Sequence, residues 1–185
     1  PGFHNIKNAT ACLAIIHQLG LDLPKAAAAL QQFSGAGRRF DLRGTAAGIT
    51  IIDDYAHHPT EITATLEAAR TRFPQRRLVV LWQPHTYTRS EALQDEFIHA
   101  LGTANQVLVT SIYAAREKDT GFSARQIVEK MPAATIYVPD QQDAAQQLLA
   151  ILQTGDVLLV LSAGDAIQIS ENIFAALQKQ ETENA

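Results

Sequence analysis

LVVLWQPHTYTRS, residues 78–90, passes in one step from an unbroken apolar run to a loop of polar and charged groups. LVVLW (78–82) is apolar on both alternating faces, which suits a strand in a sheet covered on both sides. QPHTYTR (83–89) lies at its carboxyl end, and the chain then reads as a helix over about 90–102. The same order recurs along the sequence. ITIID (49–53), QVLVTSI (106–112), ATIYV (134–138) and VLLVLSA (157–163) are further strand-length runs. Helical patterns fall between and after them, at about 59–73 (opened by Pro59), 123–131, 141–153 and 166–179. FDLRGTAAG (40–48) reads as a short strand and turn. This alternation predicts an α/β fold, a doubly wound, mostly parallel (Rossmann-like) sheet with helices on both faces.

Upstream the pattern is helical only. Cys12, Leu13, Ile15, Ile16 and Leu19 form one stripe of a helix over 4–19 that Gly20 stops, and a second helix spans about 23–33 with Pro24 in its first turn. SGAG (34–37) breaks the chain and is the expected domain boundary, dividing it into 1–36 and 37–185. The tail QETENA (180–185) is expected to fray.

Composition narrows the classes. The 185 residues are 46% hydrophobic and 18% charged, ordinary for a globular protein. The lone cysteine, Cys12, excludes an intrachain disulfide and a cysteine-rich zinc site, and suggests the cytoplasm. No apolar run approaches a membrane span, and PGFHNIKNAT has no signal-peptide pattern. The missing initiator Met suggests a fragment or a processed product. Residues 1–90 carry a net charge of +4 and residues 91–185 a net of −8. Binding of nucleic acid through bulk charge is therefore not expected, and the basic half is where an anionic ligand is best tolerated.

Ligands of doubly wound sheets sit beyond the carboxyl ends of the strands, which makes those ends a search list. In IIDDYAHHPTE (51–61) two acids, a tyrosine and two histidines follow one strand. Any one of them could merely end the strand or cap the helix, but five polar groups together favour a ligand site. Adjacent His57 and His58 are poorly placed to share a metal ion, and no metal ligand set is predicted. In QPHTYTR, Arg89 has the planar fork that holds a carboxylate or phosphate, with His85 and Tyr87 beside it. GAGRRFDLRG (35–44) brings Arg38, Arg39 and Arg43 near the boundary, within reach of a phosphate or simply solvated. Asn5 and Asn8 share a helix face and could read an adenine edge, although by themselves they fit ordinary helix capping better. SAGDA (162–166) suits an anion or a plain βα turn. No GxxxxGK[ST] occurs, so the grip on any nucleotide phosphate must come partly from outside this chain.

As a set, GFHNIKN, GAGRRFDLRG, DDYAHHPTEI, QPHTYTR, IYAAREKDTG and SAGDAI resemble, in order, the Mur ligase family of ATP-dependent peptidoglycan ligases. The pairing of DDYAHHPTEI with QPHTYTR is similar to the branch that adds L-alanine. The resemblance implies a three-domain enzyme in which residues 1–36 close the central ATPase domain and 37–185 form the C-terminal α/β domain. It implies ATP and Mg²⁺, with the Mg²⁺ ligands mainly upstream, and UDP-N-acetylmuramate and L-alanine as substrates. Neither a nucleic-acid nor a membrane partner is implied. By position, His4, Asn5, Asn8, Arg39 and Asp54 match the ATP contacts. Tyr55, His57, His58 and Arg89 match the amino-acid pocket, and His57 and Arg39 are the expected catalytic pair. Thr86 stands where many members carry arginine, which leaves Arg89, or Arg116 in its place, to hold the carboxylate. The fragment alone is expected to be inactive. A muropeptide-recycling ligase of the same family and a free-standing α/β binding module are the alternatives.

Overall fold

The structure, a computed structural model, describes residues 3–33, 37–132 and 134–183, with the side chains of Phe3 and His4 also outside the description. Six strands form one sheet: β1 (Asp41–Ala46), β2 (Ile49–Asp54), β3 (Leu78–Trp82), β4 (Gln106–Val109), β5 (Thr135–Tyr137) and β6 (Val157–Leu161). Their order is β1-β2-β6-β3-β4-β5. Every neighbouring pair is parallel except β1 and β2, an antiparallel hairpin. Its turn residues, Ala47 and Gly48, both have positive φ (50° and 74°), the twist that tight hairpins require. The mostly parallel, doubly wound sheet is as the sequence predicts.

Around the sheet lie α3 (Pro59–Arg72), α4 (Tyr87–Ala92), α5 (Gln94–Leu101), α6 (Arg125–Val128), α7 (Gln141–Ile151) and α8 (Ile167–Glu183). Strand positions alternate strictly between two cores. Ile52, Val80, Trp82, Val109 and Leu159 face α3, α5 and α6 through Ile62, Leu66, Phe97 and Ile127. Ile51, Val79, Leu81, Leu108 and Leu158 face α7 and α8 through Leu148, Ile169, Ile173 and Leu177. Helices on both faces explain why the strand runs lack polar positions. Because β6 lies between β2 and β3 and its helix α8 leaves on the face opposite to α3 and α5, the crevice of the fold opens at the carboxyl ends of these three strands.

Several boundaries differ from the sequence reading. The helix expected at 90–102 begins earlier and is two helices, α4 and α5, broken at Leu93 (φ −116°, ψ 30°). The strand expected at 106–112 ends at Val109. Its neighbour β5 stops at Tyr137: Val138 N–H still bonds the Val109 carbonyl (2.9 Å), but Ser111 N–H then reaches the Pro139 carbonyl (3.2 Å), one residue out of register. The helix expected at 123–131 is the single turn of α6. Residues 180–183 of the tail are helical rather than frayed, since nothing in the sequence stops α8 and Lys179 pairs with Glu183 one turn on (3.7 Å).

Before the sheet come α1 (Phe3–Gln18) and α2 (Leu23–Gln32), the latter capped by the Asp22 carboxylate, which accepts from Lys25 N–H (2.9 Å). Neither behaves as part of the core. α2 buries no residue, and Ile6, Ile15, Leu19, Leu21 and Phe33 are all more than half exposed. Of the SGAG boundary, Ser34–Ala36 lie outside the described residues.

Candidate active site at the strand ends

The loops after β2, β6, β3 and β4 meet at one edge of the sheet. Asp53 and Asp54, adjacent at the end of β2, point to opposite faces. Asp53 pairs with Arg43 and accepts from the Ser170 hydroxyl on α8 (3.0 Å), and Arg43 also reaches Glu171 (3.3 Å). The predicted trio of arginines is thereby split, with Arg43 facing α8. Asp54 is buried and accepts from the N–H groups of Phe40 (2.9 Å) and Ala56 (2.8 Å) and from the Thr65 hydroxyl (3.2 Å). Burial pushes its carboxyl above the ordinary value, and these hydrogen bonds pull part of the way back. A carboxylate offers about four acceptor positions, so Asp54 keeps about one for a ligand.

Arg38 and Arg39 diverge because Arg38 has a positive φ (61°). The Arg38 guanidinium donates to the carbonyls of Ser162 (2.9 Å) and Gly164 (3.1 Å), holding the β6–α8 loop. Arg39, half exposed, lies 3.6 Å from the Glu61 carboxylate. Both guanidinium groups lie over the Tyr55 ring, 4.9 and 5.2 Å from its centre, a cation–π arrangement.

Tyr55 begins a row of rings. The His57 ring stands edge-on to it (5.3 Å), His85 lies 5.6 Å beyond His57, and Tyr113 stacks on His85 (5.6 Å). His57 Nδ1 is 2.9 Å from the Tyr55 carbonyl. Arg89 Nη1 reaches His85 Nδ1 (3.4 Å). Burial first, then the charges of Arg89 and His57, hold the His85 imidazole below its ordinary pKa, so it is neutral at physiological pH and free to accept from Arg89. His58 turns outward and caps α3: its Nδ1 accepts from Thr60 N–H (3.3 Å), and Glu61 accepts from His58 N–H (3.2 Å) in return. Thr86 adopts φ 67°, ψ 143°, strained for a β-branched residue, and its N–H bonds the Tyr113 carbonyl (2.9 Å), zipping the β3 and β4 loops together.

Three residues to which the sequence reading gave no individual role, Gln83, Asp165 and Gln141, build the floor. The buried Gln83 accepts from the Ser162 hydroxyl (2.6 Å) and Ala166 N–H (3.2 Å) and donates to Asp165 (2.7 Å), which also accepts from Gln141 (2.6 Å). An amide at a strand end carries no sequence signature, and these partners are far apart in the chain. Gly164 is required by this packing, since a Cβ there would lie 2.5 Å from Gln83 Oε1 and 2.7 Å from the Tyr113 ring. Gly164→Ala is expected to cost about 1–3 kcal/mol, the usual penalty of overpacking. Urea unfolding of the variant measures it, and an unchanged midpoint would contradict this packing.

Of the remaining predicted residues, Asn5 and Asn8 are exposed on α1, and the side chain of His4 lies outside the described residues. Arg116 is exposed on the loop after β4. A groove of about 920 Å³ lies elsewhere, between α1, α3 and α5, lined by Lys7, Thr63, Glu67, Asp95 and His99 among others. Among the described residues no three His, Cys, Asp or Glu side chains converge as a metal site, and no helix is long and apolar enough to cross a membrane.

The edge thus presents two exposed or half-buried arginines, a histidine held by its Nδ1 and a glycine loop, which suits an anionic ligand beside a proton acceptor. Residues 38–164 match the family described as Mur ligase, glutamate ligase domain. A UDP-N-acetylmuramate–L-alanine ligase from a Roseiflexus species is 47% identical over 97% of this chain and 39% of its own length. The crystal structure of a UDP-N-acetylmuramate-alanine ligase from Thermotoga maritima superposes with a TM-score of 0.79 at 30% identity, covering 97% of this chain and 39% of that one. A murein peptide ligase from Psychrobacter arcticus gives 0.74 at 27%, covering 96% and 38%. The chain therefore spans about 40% of the length of the curated relatives it matches. On the extent of the match and the fold alike, this chain belongs to the Mur ligase family.

Proposed function

We propose that this chain is the C-terminal portion of an ATP-dependent ligase that joins L-alanine to UDP-N-acetylmuramate in the cytoplasm. The observation that carries the reading is the convergence of Arg39, Tyr55, His57 and Arg89 at the β2 and β3 ends, in a chain whose curated relatives carry that ligase name. Residues 1–36 would close the preceding ATPase domain. Their exposed apolar side chains, Ile6, Ile15, Leu19 and Phe33 among them, are what a helix pair presents when its packing partner is elsewhere.

In this reading ATP phosphorylates the lactyl carboxylate to an acyl phosphate. The L-alanine amine attacks the acyl carbon, and phosphate departs. A carboxylate is a poor electrophile, and phosphorylation supplies its leaving group. Arg39 meets the transferring phosphoryl group, where a guanidinium offsets growing charge. The free acceptor position of Asp54 takes a ribose hydroxyl, and Asn5 and Asn8, with His4, meet the adenine. Tyr55, His57 and Arg89 form the amino-acid pocket, Arg89 on the carboxylate, with His58 holding the start of α3 beneath it. Mg²⁺ would neutralise charge on the phosphates, with its ligands expected mainly in the rest of the enzyme.

The test uses the full-length enzyme with ATP, Mg²⁺ and UDP-N-acetylmuramate, and measures phosphate release with L-alanine, with a murein tripeptide and with neither. Release should follow alanine. Arg89→Ala should raise the alanine KM by about 10–100-fold, since a hydrogen bond to a charged group contributes about 1.5–3 kcal/mol. Release that follows the tripeptide instead would move the assignment to a peptide-recycling ligase, the reading that the likeness to the Psychrobacter enzyme supports. An alanine KM indifferent to Arg89 would remove it from the pocket.

A further inference from the structure

Glu61 was assigned no ligand by the sequence, yet it touches both halves of the site. One carboxylate oxygen accepts from the N–H groups of His57 (3.0 Å) and His58 (3.2 Å) and lies 3.3 Å from His57 Nδ1. The other lies 3.6 Å from Arg39 Nη1. His57 Nδ1 thus faces two oxygens, the Tyr55 carbonyl and the Glu61 carboxylate, and both can only accept. Nδ1 must carry a hydrogen whatever the charge of the ring. In the neutral imidazole the lone pair is then on Nε2, to which no described residue hydrogen-bonds.

We propose that Glu61 is a positioning residue: with the Tyr55 carbonyl it holds His57 as the Nδ1–H tautomer, so that His57 Nε2 takes the proton from the ammonium group of the incoming amino acid. The inference rests on the ligase reading above. The amine arrives protonated and has no electron pair to donate. Transfer of one proton to Nε2 frees that pair, which forms the N–C bond at the acyl carbon. The C–O bond to phosphate then breaks, with its electrons leaving on phosphate, and the nitrogen loses its second proton to the departing phosphate. The imidazolium left behind points Nδ1–H at the Glu61 carboxylate. That carboxylate stays ionised: burial opposes it, but the His57 and His58 N–H groups and the charges of His57 and Arg39 hold it below the ordinary range.

The test has two arms. Long-range proton–nitrogen spectra of the imidazoles in the full-length, histidine-labelled ligase, with His57 assigned through His57→Gln, should show Nδ1 protonated and Nε2 bare in the neutral ring. The Nε2–H tautomer would overturn the proposal whether or not any Glu61 variant folds. In the full-length ligase, Glu61→Gln keeps an oxygen for the helix cap and removes the charge. It should lower kcat with alanine about 10–100-fold and change the alanine KM less than twofold. Trapping of the acyl phosphate by hydroxylamine, an amine unprotonated near neutral pH, should stay within twofold of wild type. Equal losses with both amines, or no loss with either, would overturn the role of Glu61. Absence of hydroxamate from the wild-type enzyme would instead overturn the ligase reading, and the proton-transfer role with it.

Discussion

Replacing Trp82 with alanine lowers the unfolding free energy by about 3–5 kcal/mol, the usual cost of emptying a large aromatic site in a core. A domain of this kind has only about 5–15 kcal/mol in total, so the variant is expected to be marginal at 37 °C. Trp82 ends β3, a central strand, and is fully buried. Its indole packs against the Phe97 ring of α5, 4.7 Å between centres, within the core that α3 also covers. Bonded on both sides to β4 and β6, the strand backbone cannot move inward to fill the gap. The urea midpoint should fall with little change in slope, since the surface exposed on unfolding hardly changes. Trp82→Phe should cost much less. The indole N–H is buried without an acceptor among the described residues, so removing it relieves an unmet donor while the ring contact survives. A loss under 2 kcal/mol for the alanine variant would show that the helices above the sheet collapse onto the cavity.

Arg39→Ala, in the full-length enzyme, is expected to reduce kcat by about 10²–10³, the usual effect of removing one group that stabilises developing charge. Its contacts in this structure are modest. The side chain is half exposed, its ion pair with Glu61 is 3.6 Å long, and it lies over the Tyr55 face. Stability should therefore change by less than about 0.5 kcal/mol, as for most surface substitutions. The combination of a large kinetic effect and an intact fold separates a phosphate contact from a structural one. Lysine should restore only part of the rate, because it keeps the charge but not the planar fork. A kcat within threefold of wild type would take Arg39 out of the phosphate site and leave its pairing with Glu61 as its main contact.

The strands and their order along the chain were legible because continuous apolar runs have few other uses at that length. Element ends were less so. Nothing in residues 90–102 announces the break at Leu93, and the end of β4 depends on where its neighbour β5 stops. Within the site, the strand ends that converge could be read from their polar clusters, but the division of labour could not. Asp53 and Asp54 look alike in sequence and take opposite faces because strand side chains alternate. Arg38 and Arg39 also look alike, and a positive φ at Arg38 sends one to the Gly164 loop and the other toward Glu61. That a histidine could cap this helix was legible, and His58 does so, with Glu61 accepting in return. The second role of Glu61, beside His57 and Arg39, came only from the way the chain turns at Tyr55 and Ala56.

Local pattern alone determined the parallel α/β class, the helical pair in front of it, and the strand ends as the place where polar groups gather. These depend on residue type and short-range spacing, which the chain carries in every conformation. The tertiary structure decided what those residues do to one another. Gln83, Gln141 and Asp165 become one network, Thr86 and Tyr113 join two loops, and Glu61 comes to face both a histidine and an arginine. The Gln83 network follows from insertion of β6 between β2 and β3, which brings segments some eighty residues apart within hydrogen-bonding distance. No spacing along the sequence encodes that distance, because it exists only once the sheet has closed.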